Sequence, residues 1–273
     1  MAIPLRYLIL CLACFAAGLS PLSAQPQPAP DSPPPPTFRL LSLGYIPDML
    51  YDIKGKPQKV TASEDNYSSP YLCPPDGVIQ FYRLKPAATP KEAPVKVPVV
   101  QARIEKKEGQ FIILLVADPR GPAPKYVPPA GDPDDPNYIP PPPTIDHLLA
   151  VTLDDSPEAH PVATVRVVNL SRRAAALKLG SSLFQIAPLQ NQLVPYPGNK
   201  RVWMHVATLG EQGWQRVIGG PQSFAPSTRI VLFLNDVRPG KDDLNPIGLS
   251  LKKIIETVTP PVPPASTALL TRR

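Results

Sequence analysis

Two acidic segments carry the residue types that bind hard metal ions. Asp132-Pro133-Asp134-Asp135-Pro136-Asn137 sets carboxylate and amide oxygens at nearly the alternate spacing of a calcium loop. It lacks the central glycine and distal glutamate of such loops, so a solvated acidic linker explains it better. Asp154-Asp155-Ser156-Pro157-Glu158 with His160 could hold zinc or calcium, but an aspartate-serine-proline turn accounts for the same residues. We therefore predict no metal site and no cofactor.

The histidines and serines do not form a recognisable hydrolytic motif. The histidines are His147, His160 and His205. No Gly-x-Ser-x-Gly sequence is present, and Ser181-Ser182 follows Gly180 in a pattern typical of a hairpin turn. Carboxylate pairs for glycoside hydrolysis are missing from the predicted strands, the elements that could hold them rigidly. We predict that the protein is not an enzyme and has no catalytic residues.

Four aromatic residues could instead form a platform on which sugar rings stack: Tyr71, Tyr196, Trp203 and Trp214. Aromatic residues make up only 7% of the chain, however, and Trp203 lies in an alternating segment where it could cover the core. We expect these side chains to pack in or beside the core. A carbohydrate- or peptidoglycan-binding module is the alternative.

The amino-terminal residues have the features of a secretory signal. Arg6 gives a positive start, residues 7–19 form an apolar stretch too short to span a bilayer, and Leu22-Ser23-Ala24 before Gln25 fits a cleavage site. We therefore predict a signal peptide over residues 1–24 and a mature chain that is periplasmic or extracellular, without a transmembrane span. The alternative is a lipoprotein acylated at Cys14.

Cleavage at this site would leave Cys73 as the single cysteine of the mature chain, which excludes an internal disulfide. Cys73 lies between Leu72 and Pro74 in an apolar setting. We expect a buried thiol, with an intermolecular disulfide as the alternative.

The charge of the chain is mildly basic, with a formal net charge of +6. Its lysines and arginines are scattered along the sequence in short clusters. A nucleic-acid-binding protein would concentrate them on one face among aromatic residues, and export also argues against nucleic acid. We expect an envelope protein or a surface polymer as the partner, and weak attraction to anionic polymers is compatible with the charge.

Many of the 42 prolines are clustered in three segments, which cover residues 25–37, 119–144 and 259–273. Proline fixes φ and lacks the backbone donor, so these runs favour extended polyproline II. We predict that the first two are linkers and that the last is a disordered tail.

Between these segments the sequence repeats itself. The motif Phe38-Arg39-Leu40-Leu41-Ser42-Leu43 returns as Val165-Arg166-Val167-Val168-Asn169-Leu170, with a basic residue inside an apolar run. Second and third blocks follow in the same order, and both copies end on an apolar run closed by Asp118 or Asp236. Conserved order over four blocks indicates duplication of a whole domain, over residues 38–118 and 145–240.

The pattern within each repeat is that of β-strands. Val202-Trp203-Met204-His205-Val206 alternates, and the apolar runs at 112–116 and 230–234 suit strands buried on both faces. Short strands separated by turns predict an all-β fold of two tandem immunoglobulin-like β-sandwiches. One short helix is predicted over residues 241–258, where Asp242-Asp243 precedes an apolar pattern and prolines follow.

Val165-Arg166-Val167-Val168-Asn169-Leu170-Ser171 resembles the opening "VRVVNAS" strand of a family of exported bacterial cell-surface repeats of unknown function. Tyr67-Ser68-Ser69-Pro70-Tyr71-Leu72 with Gly77 resembles the middle block of that family. The resemblance implies an immunoglobulin-like, non-enzymatic protein of the cell envelope and transfers no catalytic residue. We therefore expect an exported structural or interaction protein.

Overall fold

A computed structural model describes residues 34–87, 93–118, 147–236 and 248–258. These residues form an all-β structure without a helix. Its strands, in chain order, are β1 (Thr37–Ser42), β2 (Met49–Ile53), β3 (Lys56–Val60), β4 (Tyr71–Leu72), β5 (Val78–Lys85), β6 (Val95–Arg103), β7 (Gln110–Ala117), β8 (Leu148–Asp154), β9 (Thr164–Asn169), β10 (Ala175–Leu179), β11 (Ser182–Ile186), β12 (Asn191–Pro195), β13 (Arg201–Gly210), β14 (Gly213–Ser223), β15 (Thr228–Asp236) and β16 (Leu249–Thr257).

The strands form four four-stranded sheets, and their order repeats. Sheet I has the order β4-β1-β7-β8 and sheet II the order β3-β2-β5-β6. Adding eight to each strand number gives sheet III, β12-β9-β15-β16, and sheet IV, β11-β10-β13-β14. The pairs β1–β7 and β9–β15 are both parallel, and β5 and β13 each carry a register shift in the same part of the strand. The chain therefore contains the same eight-strand arrangement twice.

Each half has its own hydrophobic core between two sheets. Sheets I and II enclose Phe38, Tyr51 and Phe81, whereas sheets III and IV enclose Leu177 and Leu232. The apolar runs of β7 and β15 are buried throughout, as their composition predicts. Alternate residues of these two strands point away from their own core and toward the other half.

A third hydrophobic cluster joins sheets I and III. It contains Leu41, Ile112, Leu114, Val116, Leu153, Val168, Val231, Phe233 and Ile254. In the strand registers, Leu41 of the first half corresponds to Val168 of the second, and Ile112 corresponds to Val231. The two halves therefore contact each other through the same face, as the subunits of a two-fold symmetric dimer do.

The helix predicted over residues 241–258 is wrong for residues 249–257, which form strand β16. Leu251, Ile254, Ile255 and Val258 have the i, i+3, i+4, i+7 spacing of a helix face. In the structure, however, Leu251 packs on the core of the second half and Ile254 on the third cluster. A strand with apolar residues on both faces produced a pattern that resembles a helix.

Strand β8 belongs to the first half, although residues 145–240 were predicted as the second repeat. Leu148–Asp154 pairs antiparallel with β7 in sheet I and closes the first set of eight strands, just as β16 closes the second. The proline-rich residues 119–144 thus come between two neighbouring strands of one sheet. The predicted signal peptide (1–24), residues 25–33, and the segments 119–144 and 259–273 lie outside the described residues.

No helix in the described part of the chain is long and apolar enough to cross a membrane.

Candidate functional site

Of the four aromatic residues predicted as a possible sugar platform, two are packing residues. Tyr196 is buried against Phe224, and its hydroxyl donates a hydrogen bond to the carbonyl oxygen of Ala225 over 2.9 Å. Tyr71 packs beside Phe38 at the first core. Trp203 and Trp214, in contrast, are 59% and 47% exposed.

Trp203 and Trp214 lie on the same face of sheet IV. Along β13, Met204 and Val206 point into the core, so Trp203 and the alternate residues after it point outward. Trp214 of β14 is the register partner of Leu209 and shares its face. We call this surface the Trp203 face; its outward residues are Ala176, Lys178, Leu183, Gln185, Arg201, Trp203, His205, Ala207, Leu209, Trp214, Arg216, Gly219, Pro221 and Ser223.

The centre of the Trp203 face is a stacked pair of rings. Trp203 and His205 have centroids 5.9 Å apart and planes 12° from parallel. Gly219 is the register partner of His205, and a Cβ atom there would lie 2.6 Å from His205 Nδ1 and 3.1 Å from Arg216 Cδ. The imidazole of His205 and the aliphatic stem of Arg216 therefore occupy the space above Gly219. A side chain at position 219 would displace both of them.

The charges of this face have one sign. The four strands of sheet IV contain no aspartate or glutamate, and their charged residues are Lys178, Arg201 and Arg216. All three point outward, since Lys178 pairs with His205 and Arg216 with Ala207. Neither Lys178 nor Arg216 forms a salt bridge with any residue that the structure describes. The face can thus offer both ring stacking and unpaired positive charge.

The equivalent face of sheet II differs. The shared register shift aligns Tyr82 with Ala207, so Gln80 corresponds to His205 and Val78 to Trp203. Tyr82 donates a hydrogen bond to Asp52, and the ammonium group of Lys96 lies 2.6 Å from the same carboxylate. The hydrogen bond from Lys96 lowers the pKa of Asp52, with a further contribution from Tyr82. The stacked tryptophan–histidine pair is therefore found on sheet IV and not on sheet II.

A second group of polar residues lies between the halves, where four of its six members are buried and Arg39 and Glu256 are partly exposed. This junction cluster consists of Arg39, Asp155, His160, Arg166, Arg229 and Glu256. The Arg39 guanidinium donates hydrogen bonds to Glu256 over 2.5 Å and to Asp155 over 2.6 Å. Arg229 donates to Glu256 over 2.8 Å, and His160 Nδ1 lies 3.2 Å from Asp155.

The junction cluster follows the internal symmetry. Arg39 and Arg166 are the basic residues of the two opening motifs, and Asp155 and Glu256 occupy equivalent positions at the ends of β8 and β16. Arg39 of the first half reaches Glu256 of the second. Arg166 of the second half donates over 2.7 Å to the carbonyl oxygen of Asp154, where the first half ends. The arginines thus cross the junction in both directions.

The electrostatics of the cluster favour charged carboxylates and a neutral histidine. Burial raises the pKa of Asp155, but the hydrogen bond with His160 and the charges of Arg229 and Arg39 outweigh it and lower the pKa. Burial likewise raises the pKa of Glu256, and Arg39 reverses the shift. Burial lowers the pKa of His160, and the hydrogen bond with Asp155 offsets this only in part.

The Asp155–His160 pair has the composition of a general-base pair but not the access of one. Each residue is 1% exposed, and the carboxylate is already bound by arginine. The nearby Asp154 forms a salt bridge with Lys106, and its carboxylate accepts a hydrogen bond from the backbone of Ser156. The predicted turn is thus present. Within the described ranges, no group of three or more His, Cys, Asp or Glu residues could hold a metal ion.

The remaining sequence candidates lie apart from both sites. Cys73 is a buried free thiol, and burial raises its pKa to about 11, which keeps it protonated. Ser181-Ser182 lies at the turn between β10 and β11, where Gly180 has a φ of 62°. His147 precedes β8 and is exposed. The acidic segment 132–137 lies outside the described residues.

Sequence reasoning missed most of the residues that form these sites. Lys178 lies on β10, whereas Arg216 and Gly219 lie on β14, and the strand register alone brings them to the two sides of β13. The recurring basic residue in the two opening motifs was a usable signal for Arg39 and Arg166. Glu256 could not be assigned to the junction cluster from the sequence, because residues 241–258 had been predicted as a helix.

Comparison with known proteins adds no assignment. No protein-family model matches the chain. No curated protein matches it either.

Proposed function

We propose that the protein is an exported, non-enzymatic interaction protein of the bacterial cell envelope, built from two tandem immunoglobulin-like β-sandwiches. The doubled strand order and the separate core of each half support the tandem arrangement. The signal-like residues 1–24 support export.

The observation that carries the non-enzymatic proposal is the position of Asp155 and His160. They are the groups of the described chain best suited to acid–base chemistry, yet both are buried at the junction and paired with residues that join the two halves. A substrate could not approach them without separating the sheets. The surfaces left for partners are the outward faces of sheets II and IV.

Binding of the purified chain to the envelope fraction of the producing bacterium tests this proposal. We expect saturable co-sedimentation, with the heat-denatured protein as a control for non-specific adsorption. The absence of saturable binding would contradict an interaction role. Amino-terminal sequencing of the protein recovered from cells tests export. Gln25 as the first residue would support the proposed cleavage site. An acylated Cys14 as the first residue would show instead that the protein is a lipoprotein.

A carbohydrate- or peptidoglycan-binding module is the second candidate, and the exposure of Trp203 and Trp214 on one face favours it. Pretreatment of the envelope separates the two candidates. Loss of binding after protease treatment indicates a protein partner, whereas loss after periodate oxidation, which cleaves vicinal diols of sugars, indicates a glycan.

A further inference from the structure

We propose that the Trp203 face binds a carboxylated polysaccharide, with a sugar ring stacked on Trp203 and its carboxylates paired with Arg216 and Lys178. This inference rests on the carbohydrate-binding candidate above and adds the ligand class and the residues that recognise it.

The first step of the argument is the stacking surface. Trp203 exposes more than half of its surface although it lies in the middle of a sheet, and His205 is held nearly parallel beside it. Pro221 is the register partner of Trp203 and adds a flat, apolar neighbour. Exposed indole rings bind the apolar C–H faces of sugars, because this contact removes apolar area from water on both sides.

The second step is the charge. Lys178 and Arg216 lie on the strands that flank β13, one on each side, and neighbouring strands are about 5 Å apart. Lys178 faces His205 from one side, and the stem of Arg216 reaches the Gly219 position that faces His205 from the other side, so the two cations flank His205. Since no strand of sheet IV carries an acidic residue, a carboxylated chain would meet attraction without repulsion from the sheet.

The third step is the glycine beneath the site. Gly219 leaves the space into which His205 and Arg216 extend, at 2.6 Å and 3.1 Å from its missing Cβ. Gly220, the next residue, has nothing within 4 Å of the corresponding position. The space at Gly219 thus serves the placement of two ligand-facing side chains, while the space at Gly220 serves none.

The test is calorimetric titration of the full chain with a hexamer of galacturonic acid, compared with its fully methyl-esterified form. We expect the acid to bind at least about tenfold more tightly than the ester, and more weakly as salt rises. Trp203→Ala should weaken binding by about tenfold or more. Ile255→Ala is the control, because it removes an exposed apolar side chain from β16 of sheet III, outside the Trp203 face.

Three further variants sharpen the assignment. Arg216→Gln should weaken binding of the acid several-fold and leave the ester unchanged, since it removes only charge. Gly219→Ala should weaken binding by displacing His205, whereas Gly220→Ala should not. Circular dichroism melting of Trp203→Ala and Arg216→Gln should stay within about 2 °C of the parent, because these outward positions do not support the core.

Three results would overturn the inference: equal affinity for acid and ester, binding that survives Trp203→Ala, or no binding of the hexamer. If the hexamer fails while saturable envelope binding persists, the ligand assignment is wrong and the proposed function stands. If envelope binding also fails, the proposed function is wrong as well.

Discussion

Buried arginines at the junction are stabilising only because each one has partners. Arg39, Arg229, Asp155 and Glu256 neutralise one another, and removal of one member would leave a charge without compensation in a buried site. His160 is the member whose charge changes nearest to neutral pH. It faces Asp155 on one side and the positive charges of Arg166 and Arg229 on the other. Acid should therefore act first at His160.

We predict that the protein loses stability in two stages as the pH falls. The pKa of His160 in the folded state lies below its ordinary value of 6.5, so the unfolded chain binds a proton that the folded chain excludes, and stability decreases below pH 6.5. The pKa values of Asp155 and Glu256 lie below 3.8 and 4.5, so their contribution is lost at still lower pH. Thermal melting between pH 8 and pH 3 measures both stages.

The variant His160→Gln separates the two stages. It should remove the upper stage and keep the lower one, because His160 is the junction histidine whose pKa is lowered, whereas the lowered pKa values of Asp155 and Glu256 act at more acidic pH. A parent protein that melts at the same temperature at pH 8 and pH 5 would contradict this account of the junction.

At the scale of the strand, periodicity predicts an element well when only one face is buried. The alternation of β13 was read correctly for this reason, and the apolar runs of β7 and β15 were read correctly because uninterrupted apolar residues indicate a strand buried on both faces. Strand β16 was not, because Leu251 and Ile254 are buried on opposite faces by different cores, and that arrangement depends on packing between the halves.

The candidate sites show the same limit. Trp203 was named as a possible platform residue, but alternation does not say which face of a strand is buried, and the expected packing in or beside the core was wrong for this side chain, which is 59% exposed. Arg216 and Lys178 could not be assigned to the same site, since their approach depends on the pairing of β10, β13 and β14. Lys178, Arg201 and Arg216 are far apart in the sequence. The pairing of the strands brings them together on one positively charged face.

Neighbouring isoleucines in β16 should respond differently to truncation. Ile254 is 7% exposed in the third cluster, whereas Ile255 is 49% exposed on the other side of the strand. We predict that Ile254→Ala lowers the free energy of unfolding by about 2–4 kcal/mol, and that Ile255→Ala lowers it by less than about 1 kcal/mol. Urea denaturation of the two variants measures the difference, and equal effects would contradict the assignment of the strand's faces.

For the whole molecule, the main consequence of the repeated strand order is that the same face is used twice. Sheet I and sheet III each bury apolar residues toward their own core and a second set toward each other. The chain therefore contains a contact that resembles a dimer interface within one polypeptide. This contact leaves the outward faces of sheets II and IV free to differ in sequence. Sheet IV carries the tryptophan–histidine pair, and sheet II does not.

Adjacent residues of β15 allow the junction to be tested apart from the cores. Leu232 points into the core of the second half, and Phe233 points into the third cluster. Leu232→Asp should unfold the second half, because a carboxylate would enter a closed core without a partner. Phe233→Asp should instead weaken the contact between the halves and leave both cores intact, since it introduces the charge where the sheets meet.

Near-ultraviolet circular dichroism and limited proteolysis distinguish the two outcomes. Leu232→Asp should lose the tertiary signal of Trp203 and Trp214 and become sensitive to protease within β9 to β16. Phe233→Asp should keep that signal and be cut chiefly in residues 155–163, which connect the halves. A Leu232→Asp variant that stays folded would refute the two-core arrangement. A Phe233→Asp variant that loses both cores together would show that neither half is stable without the junction, and the halves would then be one cooperative unit.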